Sequence, residues 1–199
     1  MMLRAVLLSA LLATPALAHD PHPPAATPPA ATGQALPLAL GGPFRLTDQH
    51  GNLRTEVDPE GRLQLLFFGY AACKAICTVA LPQMASLTQR LRARGIPIRP
   101  IMVTVDPERD TPDVMARTLG ALDPDFLGLT GSPEALAAIY RNFAVDNSVV
   151  FTEPSGQPVY AHGSLLYVID RKGKFLTLIP PVLSDDRAEQ IIAAFAPQG

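Results

Sequence analysis

Two short apolar runs with a helical pattern between them constrain the fold of this chain more than any other feature. The runs are RLQLLFF at 62–68 and PIRPIMVTV at 97–105, and each has the profile of a buried strand. Between them, apolar residues recur at three- and four-residue steps and predict a helix over 74–94. Gly95 is a suitable stop for this helix, whereas Pro82 inside it predicts a kink or a restart.

Patterns on either side extend this β-α-β unit. From Phe44, the segment FRLTDQHGNLRTEV alternates around His50-Gly51-Asn52 and predicts an N-terminal β-hairpin. The second half of the chain predicts helices at about 112–120 and 133–143, a hairpin of 164–170 with 174–179, and a last helix from Ser184 to Phe195. The resulting order, β-α-β-α-α-β-β-α, predicts an α/β fold in which helices flank a mixed central sheet.

The first 18 residues have the pattern of a secretory signal peptide. Residues 1–4 supply a short basic start, residues 5–12 are apolar apart from one serine, and Ala16-Leu17-Ala18 is a small-x-small cleavage site. An uncleaved anchor is the alternative, but the apolar run is shorter than the roughly 20 residues that span a bilayer. We therefore expect a cleaved, soluble protein in a bacterial periplasm, with attachment to the outer face of the inner membrane only if this segment is uncleaved.

A segment rich in Pro and Ala follows the signal. Residues 19–40 open with HDPHPPAATPPAATGQALP, which has little to bury and predicts a flexible linker. The predicted organisation is therefore a signal peptide over 1–18, this linker, and one domain over 41–199. His19 and His22 in the linker could contribute to a Cu²⁺ site, and an incidental polar tail is the alternative.

Composition excludes two classes of protein. The chain has 16 Lys and Arg against 18 Asp and Glu, with no basic cluster, so we expect no binding to nucleic acid. It has only two cysteines, which rules out a small scaffold held together by many disulfides.

The two cysteines, Cys73 and Cys77, follow the first predicted strand after the turn Gly69-Tyr70-Ala71-Ala72. Their spacing places both thiols on one face of a helix, or lets them converge if Cys73 precedes its first turn. A helix N-terminus stabilises a thiolate, so the pKa of a cysteine there should fall. Such a pair can act as a redox couple or bind a soft ion such as Cu(I). A structural disulfide is the alternative, although so small a loop adds little to stability.

Three separated motifs resemble the Sco/SenC family of thioredoxin-fold copper proteins: FFGYAACKAIC, VTVDPERDTP, and the histidine of VYAHGSLLYVID. The resemblance runs from about Phe44 to Phe195. It implies a thioredoxin-like fold in which Cys73, Cys77 and His162 bind one copper ion, Cu(I) or Cu(II), and the cysteines cycle between dithiol and disulfide. Family members help to assemble the copper A site of cytochrome c oxidase. The implied partners are that oxidase subunit or another cuproenzyme, and a periplasmic copper donor.

His162 and Asp106 each have an ordinary explanation beside the functional one. A lone histidine before a strand is usually a loop residue, but in a thioredoxin-like sheet His162 can face the cysteine turn, and an open fourth side there would suit transfer of the metal. Asp106 lies at a strand end, where it could orient the metal ligands through hydrogen bonds without binding the metal, or simply form a turn.

The cysteine motif departs from the usual family pattern. Lys74 and Ala75 stand where Pro-Asp is usual, Thr78 stands in place of Pro, and Gly163 in place of Ser or Thr. A cation at position 74 should lower the pKa of the neighbouring thiols and change the charge of a docking face.

Two functions of different class fit these residues. The first is a metallochaperone that carries copper on Cys73, Cys77 and His162. The second is an enzyme, a thiol-disulfide oxidoreductase in which Cys73 is the nucleophile and Cys77 resolves the mixed disulfide. A peroxidase is a weaker third alternative, because no peroxide-site motif surrounds Cys73.

Overall fold

The computed structural model describes residues 35–196 of the 199-residue chain. The predicted signal peptide and most of the predicted linker, including His19 and His22, lie outside the described residues. Among residues 35–196, no helix has both the length and the apolar character needed to cross a membrane.

Nine strands and four helices make up the described part of the chain. The strands are β1 (Leu46–Asp48), β2 (Leu53–Arg54), β3 (Leu63–Gly69), β4 (Ile98–Thr104), β5 (Leu127–Thr130), β6 (Val149–Thr152), β7 (Pro158–Tyr160), β8 (Leu166–Ile169) and β9 (Phe175–Ile179). The helices are α1 (Cys77–Ala93), α2 (Pro112–Gly120), α3 (Pro133–Asn142) and α4 (Asp185–Ala193).

Seven of these strands form a mixed sheet in the order β2-β1-β5-β4-β3-β8-β9, while β6 and β7 pair separately. The central strands β3, β4 and β5 are parallel, and every residue of β3 and β4 is buried. Parallel strands place their carboxyl ends at one edge of the sheet, which is where open α/β sheets bind ligands. Gly69 of β3 and Thr104 of β4 are register partners at that edge.

Three of the four helices begin at a side-chain cap. Thr111, Ser132 and Ser184 each accept a hydrogen bond from the backbone N–H three residues further on, as a helix-capping side chain should. Helix α1 has no such cap, and its N-cap residue is Ile76. Its start is set instead by the turn that follows β3.

The structure corrects the predicted start of helix α1. The helix begins at Cys77 rather than at position 74, because residues 70–76 form a turn in which the Cys73 N–H donates to the Tyr70 carbonyl. It then continues to Ala93 without a restart at Pro82. The hydrogen bond that this proline cannot make would have reached the carbonyl of Thr78, in the first turn of the helix.

Three strands, β5, β6 and β7, were not predicted from the sequence. Strand β5 has only four residues, and its Gly128 packs so tightly on helix α2 that a β-carbon there would lie 2.8 Å from the Met115 sulfur. All four residues of β6 are exposed, so neither face of this strand is buried against the core. The sequence of the β6–β7 hairpin therefore has no alternation of polar and apolar residues. Neither pattern resembles a half-buried strand.

Candidate metal centre

The structure brings Cys73, Cys77 and His162 together at the carboxyl edge of the sheet. The Nε2 atom of His162 lies 3.6 Å from the Cys73 sulfur and 3.8 Å from the Cys77 sulfur. The three potential ligand atoms all lie within 4.8 Å of one another, and all three residues are buried. Both cysteines are free thiols.

The turn after β3 sets the positions of the two sulfurs. Cys73 lies in this turn, and Cys77 is the first residue of helix α1. Of the two arrangements that the spacing allowed, the structure therefore has the one in which Cys73 precedes the helix. The turn is fixed from behind by Asp110, whose Oδ1 accepts a hydrogen bond from the Ala71 N–H at 3.0 Å.

Aromatic side chains hold the imidazole of His162. Its ring meets Phe67 and Tyr70 edge-on, with ring centroids 5.6 Å apart in both pairs. Nε2 faces the two sulfurs, while Nδ1 is buried and has no hydrogen-bond partner among the described residues. Most metal-binding histidines donate a hydrogen bond from their second ring nitrogen to a carboxylate, a backbone carbonyl or water. In this chain, aromatic packing orients the ring instead.

The two thiols have opposite acid strengths. A hydrogen bond from the Cys77 thiol, together with His162 and the backbone amides of Ala75 and Cys77, lowers the pKa of Cys73 to about 4 against the effect of burial. The same hydrogen bond and burial raise the pKa of Cys77 far above that of a free thiol. The metal-free site therefore holds one thiolate and one thiol at neutral pH.

The Lys74 side chain pairs with a carboxylate, whereas the sequence suggested that it would stabilise the neighbouring thiolates. Its Nζ lies 3.2 Å from Oε2 of Glu153, in the turn between β6 and β7, and the hydrogen bonds that stabilise the Cys73 thiolate come from other groups. This pair joins the cysteine turn to the β6–β7 hairpin. Between the turn and the hairpin lies a cavity of about 210 Å³, with Tyr70, Phe151 and Arg109 among its walls.

Several residues around the centre were not identified from the sequence. Asp110 lies in the motif VTVDPERDTP, whose residues are those typical of a turn and a helix start. Glu153 is one acidic residue in a segment without strand signals. His50, the other histidine in the described part of the chain, lies in the exposed turn between β1 and β2 and takes no part in the centre.

Two thiolates and an imidazole at these separations form a soft donor set of the kind that copper and zinc prefer over hard cations. The same two sulfurs, free and adjacent, can also form a disulfide. The geometry therefore fits metal binding and thiol chemistry at a single place.

Comparison with known proteins identifies the relatives of this chain. The model of the SCO1/SenC family matches residues 32–196. A SCO2-like protein of Rickettsia felis is 35% identical over 141 residues, which cover 70% of this chain and 68% of that protein.

Solved structures agree with the sequence relatives. Yeast Sco1 matches with a TM-score of 0.71 and 28% identity, covering 78% of this chain and 96% of that one. The copper-bound ScoI of Bradyrhizobium japonicum matches with a TM-score of 0.70 and 31% identity, covering 79% and 99%. These matches confirm the predicted thioredoxin-like α/β fold.

Proposed function

This chain belongs to the SCO1/SenC family, and we propose that it is a copper chaperone that binds one copper ion through Cys73, Cys77 and His162. The observation that carries the proposal is the convergence of three buried soft ligands within 4.8 Å. The copper-bound state of the related ScoI supports copper as the metal.

Each ligand has a distinct part in taking up the ion. Cys73 is already a thiolate at neutral pH, so it offers the first anionic ligand without losing a proton. Cys77 must release its proton, which makes binding of the metal stronger as the pH rises. His162 supplies its Nε2 nitrogen as the third ligand. Three protein ligands leave one side open, through which a recipient can take the ion.

The recipient that we propose is the copper A subunit of cytochrome c oxidase or another cuproprotein. Assembly of that subunit is the role that the family resemblance implies for Sco proteins. The proposal extends to a periplasmic copper donor, since an exported copper site needs a source of metal on the same side of the membrane.

The pair of unlike thiols favours a second function, reduction of a partner's disulfide. The Cys73 thiolate would attack one partner sulfur, forming a mixed disulfide and releasing the other sulfur as a thiolate. Cys77 would then lose its proton and attack the sulfur of Cys73. The products are a Cys73–Cys77 disulfide and a partner dithiol, so two electrons pass to the partner.

Anaerobic copper titration of the reduced protein tests the chaperone proposal. We expect one copper per chain, with a thiolate-to-Cu(II) charge-transfer band. His162→Ala should weaken retention of copper while the two cysteines can still form a disulfide, and Cys73→Ser should weaken the band because one of the two sulfur ligands is lost. His50→Ala is the matched control, since this histidine is not part of the ligand cluster and lies in the exposed turn between β1 and β2. Equal retention by wild type and His162→Ala would show that His162 is not a ligand.

A separate assay addresses the oxidoreductase function. The reduced protein is mixed with an oxidised copper-site domain, and the thiols of that domain are counted over time. Failure to reduce it at matched potentials would count against this second function, whatever the copper titration gives.

Export is part of the proposal and rests on the N-terminal sequence alone. We propose that residues 1–18 are removed, that 19–40 form a linker, and that the domain over 41–199 acts in the periplasm. The N-terminal sequence of the mature protein tests this, and a mature chain that still begins at Met1 would contradict cleavage.

A further inference from the structure

Two buried carboxylates lie directly behind the metal centre, in the segment that follows β4. Asp106 and Asp110 are 1% and 2% exposed. Thr104 joins them, because its hydroxyl donates to Asp110 at 2.6 Å and accepts from the Asp106 backbone N–H at 2.9 Å. Burying two carboxylates so close together is unfavourable unless each is well hydrogen-bonded, so the partners of each one are informative.

The carboxylate of Asp110 reaches the cysteine turn. Its Oδ1 accepts from the Ala71 N–H at 3.0 Å, two residues before Cys73, while Oδ2 accepts from the Thr104 hydroxyl. Each oxygen thus has its own donor. A side-chain amide has one acceptor oxygen, so asparagine at this position would leave one of the two donors facing an NH₂ group.

The carboxylate of Asp106 reaches the segment that carries His162. Its Oδ2 accepts from Nε of Arg109 at 2.7 Å, and its Oδ1 accepts from the Tyr160 hydroxyl at 3.4 Å. Tyr160 is two residues before His162. Its ring packs edge-on against Tyr70 at 5.5 Å, and Tyr70 packs in the same way against the imidazole.

We propose that Asp110 and Asp106 are positioning residues for the metal centre, Asp110 for the cysteine turn and Asp106, through Tyr160, for His162. The proposal deepens the proposed function, on which its copper readout rests. The segment at the end of β4 is therefore hydrogen-bonded to both halves of a site that are far apart in sequence.

The proposal has two parts: the cysteine arm, in which Asp110 holds the cysteine turn, and the histidine arm, in which Asp106 and Tyr160 hold His162. The two arms predict separate effects, which four variants can distinguish. Asp110→Asn should lower the equilibrium constant for forming the Cys73–Cys77 disulfide, with a small-molecule disulfide as the oxidant, by about tenfold, because the turn that holds Cys73 near Cys77 loses a hydrogen bond to a charged group. Tyr160→Phe and Asp106→Asn should leave that constant within about twofold. Asp123→Asn is the control, because this buried aspartate lies by Arg92 near the other end of α1.

Copper release supplies the second readout. Tyr160→Phe and Asp106→Asn should speed loss of copper to a chelator and alter the Cu(II) charge-transfer band, in the same sense as His162→Ala. The control variant should change neither property. Release and spectrum equal to those of wild type in Tyr160→Phe would overturn the histidine arm.

The cysteine arm can be tested without metal and without a variant. Hydrogen exchange on the reduced wild-type protein should show the Ala71 amide protected to a degree similar to the amides of β3. Rapid exchange at Ala71, or an unchanged disulfide constant in folded Asp110→Asn, would overturn this arm. If wild type binds no copper, the proposed function fails while both of these measurements still decide the role of Asp110.

Discussion

The backbone of Gly69 lies against the sulfur of Cys77. A β-carbon at position 69 would stand 3.0 Å from Cys77 Sγ and 2.7 Å from a ring carbon of Phe67. The approach to Phe67 is closer than real β-carbons make, and the approach to the sulfur is tight, so a larger residue at position 69 would have to displace the Phe67 ring and move the sulfur. Phe67 also packs on His162, and the glycine thus affects both halves of the site.

Gly69→Ala should therefore destabilise the protein and weaken its hold on copper. We expect a loss of about 1–3 kcal/mol in the free energy of unfolding, as for other overpacked cores, measured by urea denaturation of the metal-free protein. Gly120→Ala is the control, since a β-carbon there meets nothing within 4 Å. A Gly69→Ala protein as stable as wild type would contradict the close approach.

The acidity of Cys73 predicts an unusual titration. Ultraviolet absorbance of the reduced, metal-free protein should show one thiolate at neutral pH, lost only as the pH falls through about 4. The folded-state pKa lies below that of an unfolded cysteine, about 8.5. The thiolate therefore adds stability that is fully present above pH 8.5 and is lost as the pH falls through the folded pKa.

Variants of Cys77 identify the cause of that acidity. Cys77→Ser retains a hydroxyl that can donate to the Cys73 sulfur, whereas Cys77→Ala removes the donor. The titration midpoint of Cys73 should rise more in Cys77→Ala than in Cys77→Ser. Equal midpoints in both variants would mean that another group stabilises the thiolate.

The ion pair between Lys74 and Glu153 should contribute little to stability. Lys74 is 74% exposed and Glu153 is 27% exposed, and exposed pairs are typically worth about 0.2–1 kcal/mol. A double-mutant cycle of Lys74→Gln and Glu153→Gln should give a coupling energy in this range that falls with added salt. Lys172→Gln is a charge-matched control, and a coupling insensitive to salt would contradict a solvent-screened pair.

Copper should stabilise the folded chain through its ligands. At a free copper concentration of 100 times Kd, binding adds about 2.7 kcal/mol to the free energy of unfolding. Thermal melts of the reduced protein should show this as a rise in Tm that the double variant Cys73→Ser with Cys77→Ser loses. His50→Ala should keep the full rise. A rise that survives loss of both cysteines would place the copper elsewhere.

Local patterns predicted most of the fold because its central elements follow them closely. The runs at 62–68 and 97–105 became β3 and β4, and helices α2 and α3 begin at the residues after Thr111 and Ser132. Segments shaped by tertiary contacts did not follow local patterns. Gly128 is required by the closeness of helix α2, and the β6–β7 hairpin is exposed on every residue of β6.

The candidate site was predictable to a smaller extent. The spacing of Cys73 and Cys77 indicated paired thiols, but only the family resemblance linked them to His162. No local rule connects positions 85 and 89 residues apart. The ion pair of Lys74 with Glu153 could not be predicted either, because the strands on either side of Glu153 have no recognisable sequence pattern. Long-range pairing of this kind depends on topology rather than on periodicity.

The distance along the chain between Cys73 and His162 has a consequence for folding. Three helices and four strands lie wholly between them, and contacts that close so long a loop form late because their entropic cost comes first. A partly folded chain can therefore offer copper only its two sulfurs. The imidazole reaches the sulfurs only once the sheet has folded. Copper held by all three ligands therefore distinguishes a folded protein from a partly folded one.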